Sequence, residues 1–176
     1  MNYFYKIDNS FLNVDFDMLC KFKSTSLDNT FIGSGAELKY FQIDNITEFV
    51  QMHSKEICKI YPDDVTFAEI TGNGILGAHI DQGPLVALNF YLNAGIDETV
   101  FYEKKDNSIL NNYVSKVFHF DDLDPKTSFI ANTKDIYLLN VSRIHAVFKK
   151  TNIPRQFICY HWYNNSFDEI KENLLI

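Results

Sequence analysis

A mainly β fold, a two-sheet β-roll with a helical N-terminal layer, is what this sequence predicts. Three observations predict it. From Val65 onward the chain divides into eight short runs of β-favouring residues, with turn residues between them and no helical period. Hydrophobic residues make up 46% of the 176, and 16 Phe with 10 Tyr supply enough bulk for a full core. Before Val65 the pattern differs, with mixed α and β character and one clear amphipathic stripe.

Nearest the N-terminus, FDMLCKF (16–22) reads as a short helix. A longer helix is expected from about 46 to 60, with Asn45 as N-cap and Glu48 in the capping-box position. Its apolar face is Ile46, Phe49, Val50, Ile57 and Tyr61; His53 shares that stripe and reads as a core histidine. The strand runs are VTFAEIT (65–71), GAHID (77–81), LVALNFYLN (85–93), ETVFYEK (98–104), VSKVFHF (114–120), DIYLLNV (135–141), RIHAVF (143–148) and RQFICYHWY (155–163). Regular spacing of this kind suits a sandwich or barrel. The four prolines are scattered as turn punctuation and no linker is visible, so one domain is expected, with a 1–64 layer on a 65–176 core.

The formal net charge of −7 argues against nucleic acid or an anionic membrane as the main partner. No apolar run reaches the length of a membrane span, and the opening MNYFYKIDNS lacks a basic-then-apolar signal pattern. Cys20, Cys58 and Cys159 are odd in number and far apart, which excludes a disulfide scaffold or thiolate zinc motif. A reduced, cytoplasmic protein is expected.

Three features bear on chemistry. Gly72-Asn73-Gly74-Ile75-Leu76-Gly77 matches GxGxxG, but the residues after it include Pro84 and favour a strand rather than a helix. A dinucleotide site needs that helix, so the glycines read as a turn leading into the next strand. His79-Ile80-Asp81 places an imidazole and a carboxylate on one face of a strand, where both reach one ion. A distant second histidine would complete the two-His-one-carboxylate set that holds Fe(II) with open positions. His119-Phe120-Asp121 repeats the pattern, but little chain separates it from His145, whereas His79 and Asp81 lie about four short strands upstream. Finally, Arg155 opens an apolar strand about ten positions after His145. A buried guanidinium is costly without an anion, and its fork suits a carboxylate.

Taken together, His79-x-Asp81, His145 and Arg155 resemble the signature of the Fe(II)/2-oxoglutarate-dependent dioxygenase superfamily, in particular its prolyl-hydroxylase-like branch. ALNFYLN, LLNVSRIHAV and RQFICYHWY resemble that branch's strands, and DNSFLN (8–13) is faintly like its entry segment. The turn before TVFYE lacks the frequent double glycine, and Ile144 stands where proline is common. The resemblance implies a double-stranded β-helix, a jelly roll of cupin-like type. It implies Fe(II) held by His79, Asp81 and His145 as the catalytic set, and 2-oxoglutarate as co-substrate. Arg155 and Tyr91 would hold its distal carboxylate, and Asn89 would line the same pocket. With O2, such a protein hydroxylates a substrate, here a protein side chain such as proline or a small molecule. Residues 22–45 and 105–113 are expected to wall the substrate site, and His161, in parity with Arg155, to point toward the metal chamber or to the surface. Two alternatives keep the fold: a Zn- or Mn-binding cupin-like enzyme, and a non-catalytic β-sandwich binding module.

Overall fold

One long strand organises the sheet. The computed structural model describes residues 2–10, 14–22, 27–43, 57–105 and 118–176. In chain order the elements are β1 (Phe4–Ile7), α1 (Phe16–Leu19) with a 3-10 turn at Cys20–Phe22, β2 (Leu27–Ile32), β3 (Ser34–Gln42), β4 (Asp64–His79) and β5 (Val86–Asn93). They continue with β6 (Glu98–Lys104), a 3-10 turn at Phe120–Asp122, β7 (Leu123–Ile130), β8 (Ile136–Leu139), β9 (His145–Phe148), β10 (Arg155–Trp162) and α2 (Phe167–Glu172). All pairings are antiparallel, in the order β1-β8-β5-β10-β4-β9-β6-β7, with β2 and β3 extending from β4. The first half of β4 pairs with β10 and its last residues pair with β9, so this strand passes from one half of the curled sheet to the other. The result is a β jelly roll.

Side-chain parity sorts the core into an interior and an outer face. From β5, Ala87 and Tyr91 point inward, while Val86, Leu88 and Phe90 point outward. From β10, Phe157 and Cys159 point inward and Ile158, Tyr160 and Trp162 outward. Inside, Phe101 and Phe129 from one half meet Tyr91, Tyr137 and Phe157 from the other; Phe129 and Tyr137 stack with centroids 4.1 Å apart. Outside, Phe16, Leu19, Ile57, Cys58, Phe167 and Ile170 cover the sheet. Burial on both faces explains why LVALNFYLN and RQFICYHWY read as nearly continuous apolar runs. Among the described residues no helix is long and apolar enough to cross a membrane.

Several expectations need correction. Among the described residues the N-terminal part is mostly strand, because β1 pairs with β8 and β3 with β4, while α1 and its 3-10 turn are the helix it contributes. The helix expected at 46–60 falls chiefly outside the described residues. VTFAEIT and the first three residues of GAHID are one strand, with Ile80 and Asp81 beyond its end, and the glycines between them make no turn. Gly72 has φ +85° where β4 bulges against β3, and a Cβ on Gly74 would strike the Ser34 carbonyl oxygen. Of VSKVFHF, Phe118 and His119 are not in a strand and Phe120 opens a 3-10 turn. β7 was not expected, and its Pro125 is tolerated because β7 is an edge strand.

Candidate metal centre

His79 ends β4 and His145 opens β9, and the two are direct cross-strand partners. Asp81 lies two residues beyond His79, with its backbone N–H donated to the Val141 carbonyl at 3.2 Å. The strand pairing therefore brings together three residues from two distant parts of the chain. The Asp81 Oδ1 atom lies 3.3 Å from His79 Nε2 and 3.5 Å from His145 Nε2, and the two rings have centroids 4.4 Å apart. Each ring folds back on its own backbone: Nδ1 of His79 is 2.7 Å from the Gly77 carbonyl oxygen, and Nδ1 of His145 is 2.9 Å from that of Arg143. A carbonyl oxygen only accepts, so each Nδ1 carries a proton and each Nε2 faces Asp81, as the lone-pair donor to a metal ion wherever it is deprotonated. Phe31 stacks on His79 at 5.1 Å and Phe101 lies 5.6 Å from His145, making a partly apolar surround.

The charges match this geometry. Burial, then the neighbouring His79, lower the His145 pKa to about 4, so its ring is neutral near pH 7. Burial also works against charge on His79, but the adjacent Asp81 carboxylate outweighs it and raises that pKa. Burial of Asp81 is likewise outweighed, by His79, His145 and His161, and its carboxyl group stays below the usual range. Two imidazole nitrogens and one carboxylate oxygen within 4.8 Å of one another are the only such metal-holding group among the described residues. An N2O donor set of this kind fits a divalent first-row metal with open positions. The second HxD pair does not assemble: His119 is exposed and precedes a 3-10 turn.

Arg155 stands at the first position of β10 with 1% of its surface exposed. Its Nη2 donates to the Tyr91 hydroxyl at 2.8 Å and to Thr99 Oγ1 at 3.1 Å, and the guanidinium lies 4.7 Å from the Tyr91 ring centroid. Nε and Nη1 have no hydrogen-bond partner, and no carboxylate pairs with Arg155 among the described residues. Asn89 Nδ2 donates to the Tyr91 hydroxyl at 3.3 Å. A narrow cavity between the sheet halves joins Arg155, Tyr91, Asn89 and Thr99 to His79, Asp81 and His145. It meets a wider cleft of about 400 Å³, lined by Phe31, Tyr40, Asp64, Gln82 and Tyr163. Both share His79, Asp81 and His161.

Part of the expected wall, residues 27–43, forms β2 and β3 and contributes Asp28, Thr30, Phe31, Leu38 and Tyr40 to the wider cleft. Of the other expected wall, residues 106–113 lie outside the described residues. His161 is inside, not at the surface. Thr99 was not foreseen, since it reaches Arg155 from across the roll and nothing local marks it. Cys159 was equally missed, although its parity with Arg155 and His161 signalled an inward position.

No protein-family model matches the chain, and no curated protein matches it. Among solved structures it is similar to Escherichia coli ycfD, with a TM-score of 0.52 and 13% identity over 97% of this chain and 52% of that one. It is also similar to hazelnut (Corylus avellana) vicilin, with a TM-score of 0.41, 11% identity and coverage of 73% and 29%. A variant of Bacillus subtilis oxalate decarboxylase aligns with a TM-score of 0.39, 9% identity and coverage of 79% and 29%. The chain thus spans about half the length of ycfD and under a third of the other two. The first likeness supports the fold, and the two weaker ones add nothing to it. The chain is a β jelly roll carrying a His/Asp/His group able to hold a metal ion.

Proposed function

We propose that this protein is an Fe(II)- and 2-oxoglutarate-dependent oxygenase, with the metal at His79, Asp81 and His145 and the co-substrate between the metal and Arg155. The observation that carries this reading is the buried Arg155 cation, which has no carboxylate partner among the described residues and opens onto the cavity that ends at the triad. A buried cation without an anion is expensive, and a bound dicarboxylate would supply one.

The protein's own residues divide the work. His79 and His145 would present Nε2 to the metal because Gly77 and Arg143 hold their Nδ1 protons, and on His79 the metal would displace the Nε2 proton that Asp81 favours. Asp81 brings the negative charge. Arg155 would pair with the distal carboxylate through Nε and Nη1, its two free donor atoms. The Tyr91 hydroxyl accepts from both Arg155 and Asn89, which leaves its own proton to donate to that same carboxylate. Phe101, Leu76, Val147 and Phe157 keep water from the space between. Iron bound at the triad would supply oxygen activation coupled to decarboxylation of 2-oxoglutarate to succinate, with hydroxylation of a substrate held in the wider cleft.

Anaerobic titration with Fe(II) and then 2-oxoglutarate tests the reading. A metal-to-ligand charge-transfer absorption in the visible should appear only after the co-substrate is added. Bound metal with no such absorption would instead favour a Zn- or Mn-dependent cupin-like enzyme, and no bound metal a binding module.

A further inference from the structure

Beside the triad, the wall of the wider cleft carries a set of polar side chains that metal and co-substrate leave unused. β4 and β10 pair His161 with Asp64 and Cys159 with Thr66, two residues from each strand on one face. Asp64, Thr66 and His161 line the wider cleft; Cys159 and His161 line the inner cavity. His161 and Thr66 are 6% and 5% exposed, so water reaches them poorly.

Their hydrogen bonds do not close. Burial works against charge on the His161 ring, but Cys159, Asp64 and Asp81 outweigh it and raise its pKa to about 10. Both ring nitrogens therefore carry protons near pH 7, with Nε2 facing Cys159 Sγ at 3.0 Å. Nδ1 forms an ion pair with Asp64 Oδ2 at 3.6 Å, too long for a hydrogen bond, and has no hydrogen-bond partner. Thr66 Oγ1 also has none. Buried polar atoms are almost always satisfied, so two orphans on one cleft wall, flanked by a carboxylate, indicate an occupant that completes them.

We propose that Asp64, Thr66 and His161 form a substrate subsite for an uncharged amide group. His161 Nδ1–H donates to the amide carbonyl oxygen, while Asp64 and Thr66 Oγ1 accept the amide N–H. A carboxylate in this position would be repelled by Asp64, whose carboxyl group is held ionised by His161 and its backbone contacts despite burial. An ammonium group would be repelled by the His161 imidazolium. An amide offers donor and acceptor side by side. The inference rests on the reading of the wider cleft as the substrate side of the metal centre.

The test uses the metal-free full chain with 15N-labelled histidine. The His161 imidazole resonances are followed during titration with propionamide, N-methylacetamide, propionate and propylammonium. The expected result is a saturable shift with an amide, bound more tightly than either ion, and weakened roughly fivefold to tenfold by Thr66→Val, a near-isosteric change. Preference for propionamide would identify a side-chain or free carboxamide, and preference for N-methylacetamide a peptide backbone. Propionate or propylammonium binding as tightly as the amides would overturn the proposal, as would the absence of any saturable shift. Neither iron nor 2-oxoglutarate takes part. Amide binding alongside a failed iron titration would therefore remove the oxygenase reading and leave the subsite; the reverse would remove only the subsite.

Discussion

Replacing Arg155 with methionine separates a structural arginine from a ligand-binding one. In the ligand-free protein the substitution removes two hydrogen bonds, to Tyr91 at 2.8 Å and to Thr99 at 3.1 Å. Each contributes about 1 kcal/mol net. It also relieves two buried donors that have no partner, Nε and Nη1, each costing about 1–3 kcal/mol. The methionine stem occupies much of the arginine's path beside the Tyr91 ring, so little cavity opens. The sum lies between neutral and about 4 kcal/mol of added stability, or up to roughly 15 °C in Tm for a chain of this size. Co-substrate binding moves the other way. Losing one partner of a buried charged pair costs about 2–5 kcal/mol, which weakens 2-oxoglutarate roughly thirtyfold or more. Urea unfolding of the metal-free form, with calorimetric 2-oxoglutarate titration of the Mn(II)-loaded form, measures both quantities. A variant destabilised by about 3 kcal/mol or more, with unchanged 2-oxoglutarate affinity, would refute the reasoning.

Four further outcomes are expected. Asp81→Ala should abolish stoichiometric binding of a divalent metal while the metal-free protein stays folded, as elemental analysis and circular dichroism would show; a grossly unfolded variant would mean a structural role. His119→Ala should leave metal content unchanged and stability within about 0.5 kcal/mol, since this exposed residue makes no side-chain cap; loss of metal would point to the second HxD pair. Lys149 and Asp97 form a fully buried ion pair at 2.8 Å, and Lys149 also donates to the Ile153 carbonyl. Asp97→Ala should therefore cost about 3–5 kcal/mol in urea unfolding by stranding the ammonium group, and a cost under 1 kcal/mol would contradict that. Metal affinity should depend on pH through His79, because Asp81 holds its proton above the usual histidine range whereas His145 has lost its own above about 4. Affinity should fall about tenfold per pH unit below the raised His79 value and level off above it, as chelator competition would read; a flat profile between about pH 5 and 8 would contradict this.

Much of the strand pattern was legible because jelly-roll strands are short and punctuated, and ETVFYEK matches β6 residue for residue. Pairing was harder to read. Nothing local tells that Gly72 and Gly74 keep β4 continuous, because the cause is the close approach of β3, a long-range contact. The hairpin of β2 and β3 escaped notice for the same reason, since LDNTFI alternates only weakly and is held by its partners. α2 was overlooked although Ser166 and Glu169 form a capping box that the sequence does display. At the site, spacing and residue type suggested His79, Asp81, His145 and Arg155, and the structure brings the three metal-ligand candidates together and joins them to Arg155 through one cavity. What sequence could not supply was which groups lack partners. Orphaned atoms on Arg155, Thr66 and His161 are a property of the packed roll, and they carry the functional argument.

A crystal structure of the protein with Mn(II) and 2-oxoglutarate tests the central claim most directly, because that claim makes the triad and Arg155 two ends of one site. The account predicts manganese on His79 Nε2, Asp81 and His145 Nε2, with the distal carboxylate against Arg155 Nε and Nη1 and the Tyr91 hydroxyl. Metal bound elsewhere, or a metal-loaded triad with Arg155 still lacking an anion at saturating co-substrate, would contradict it.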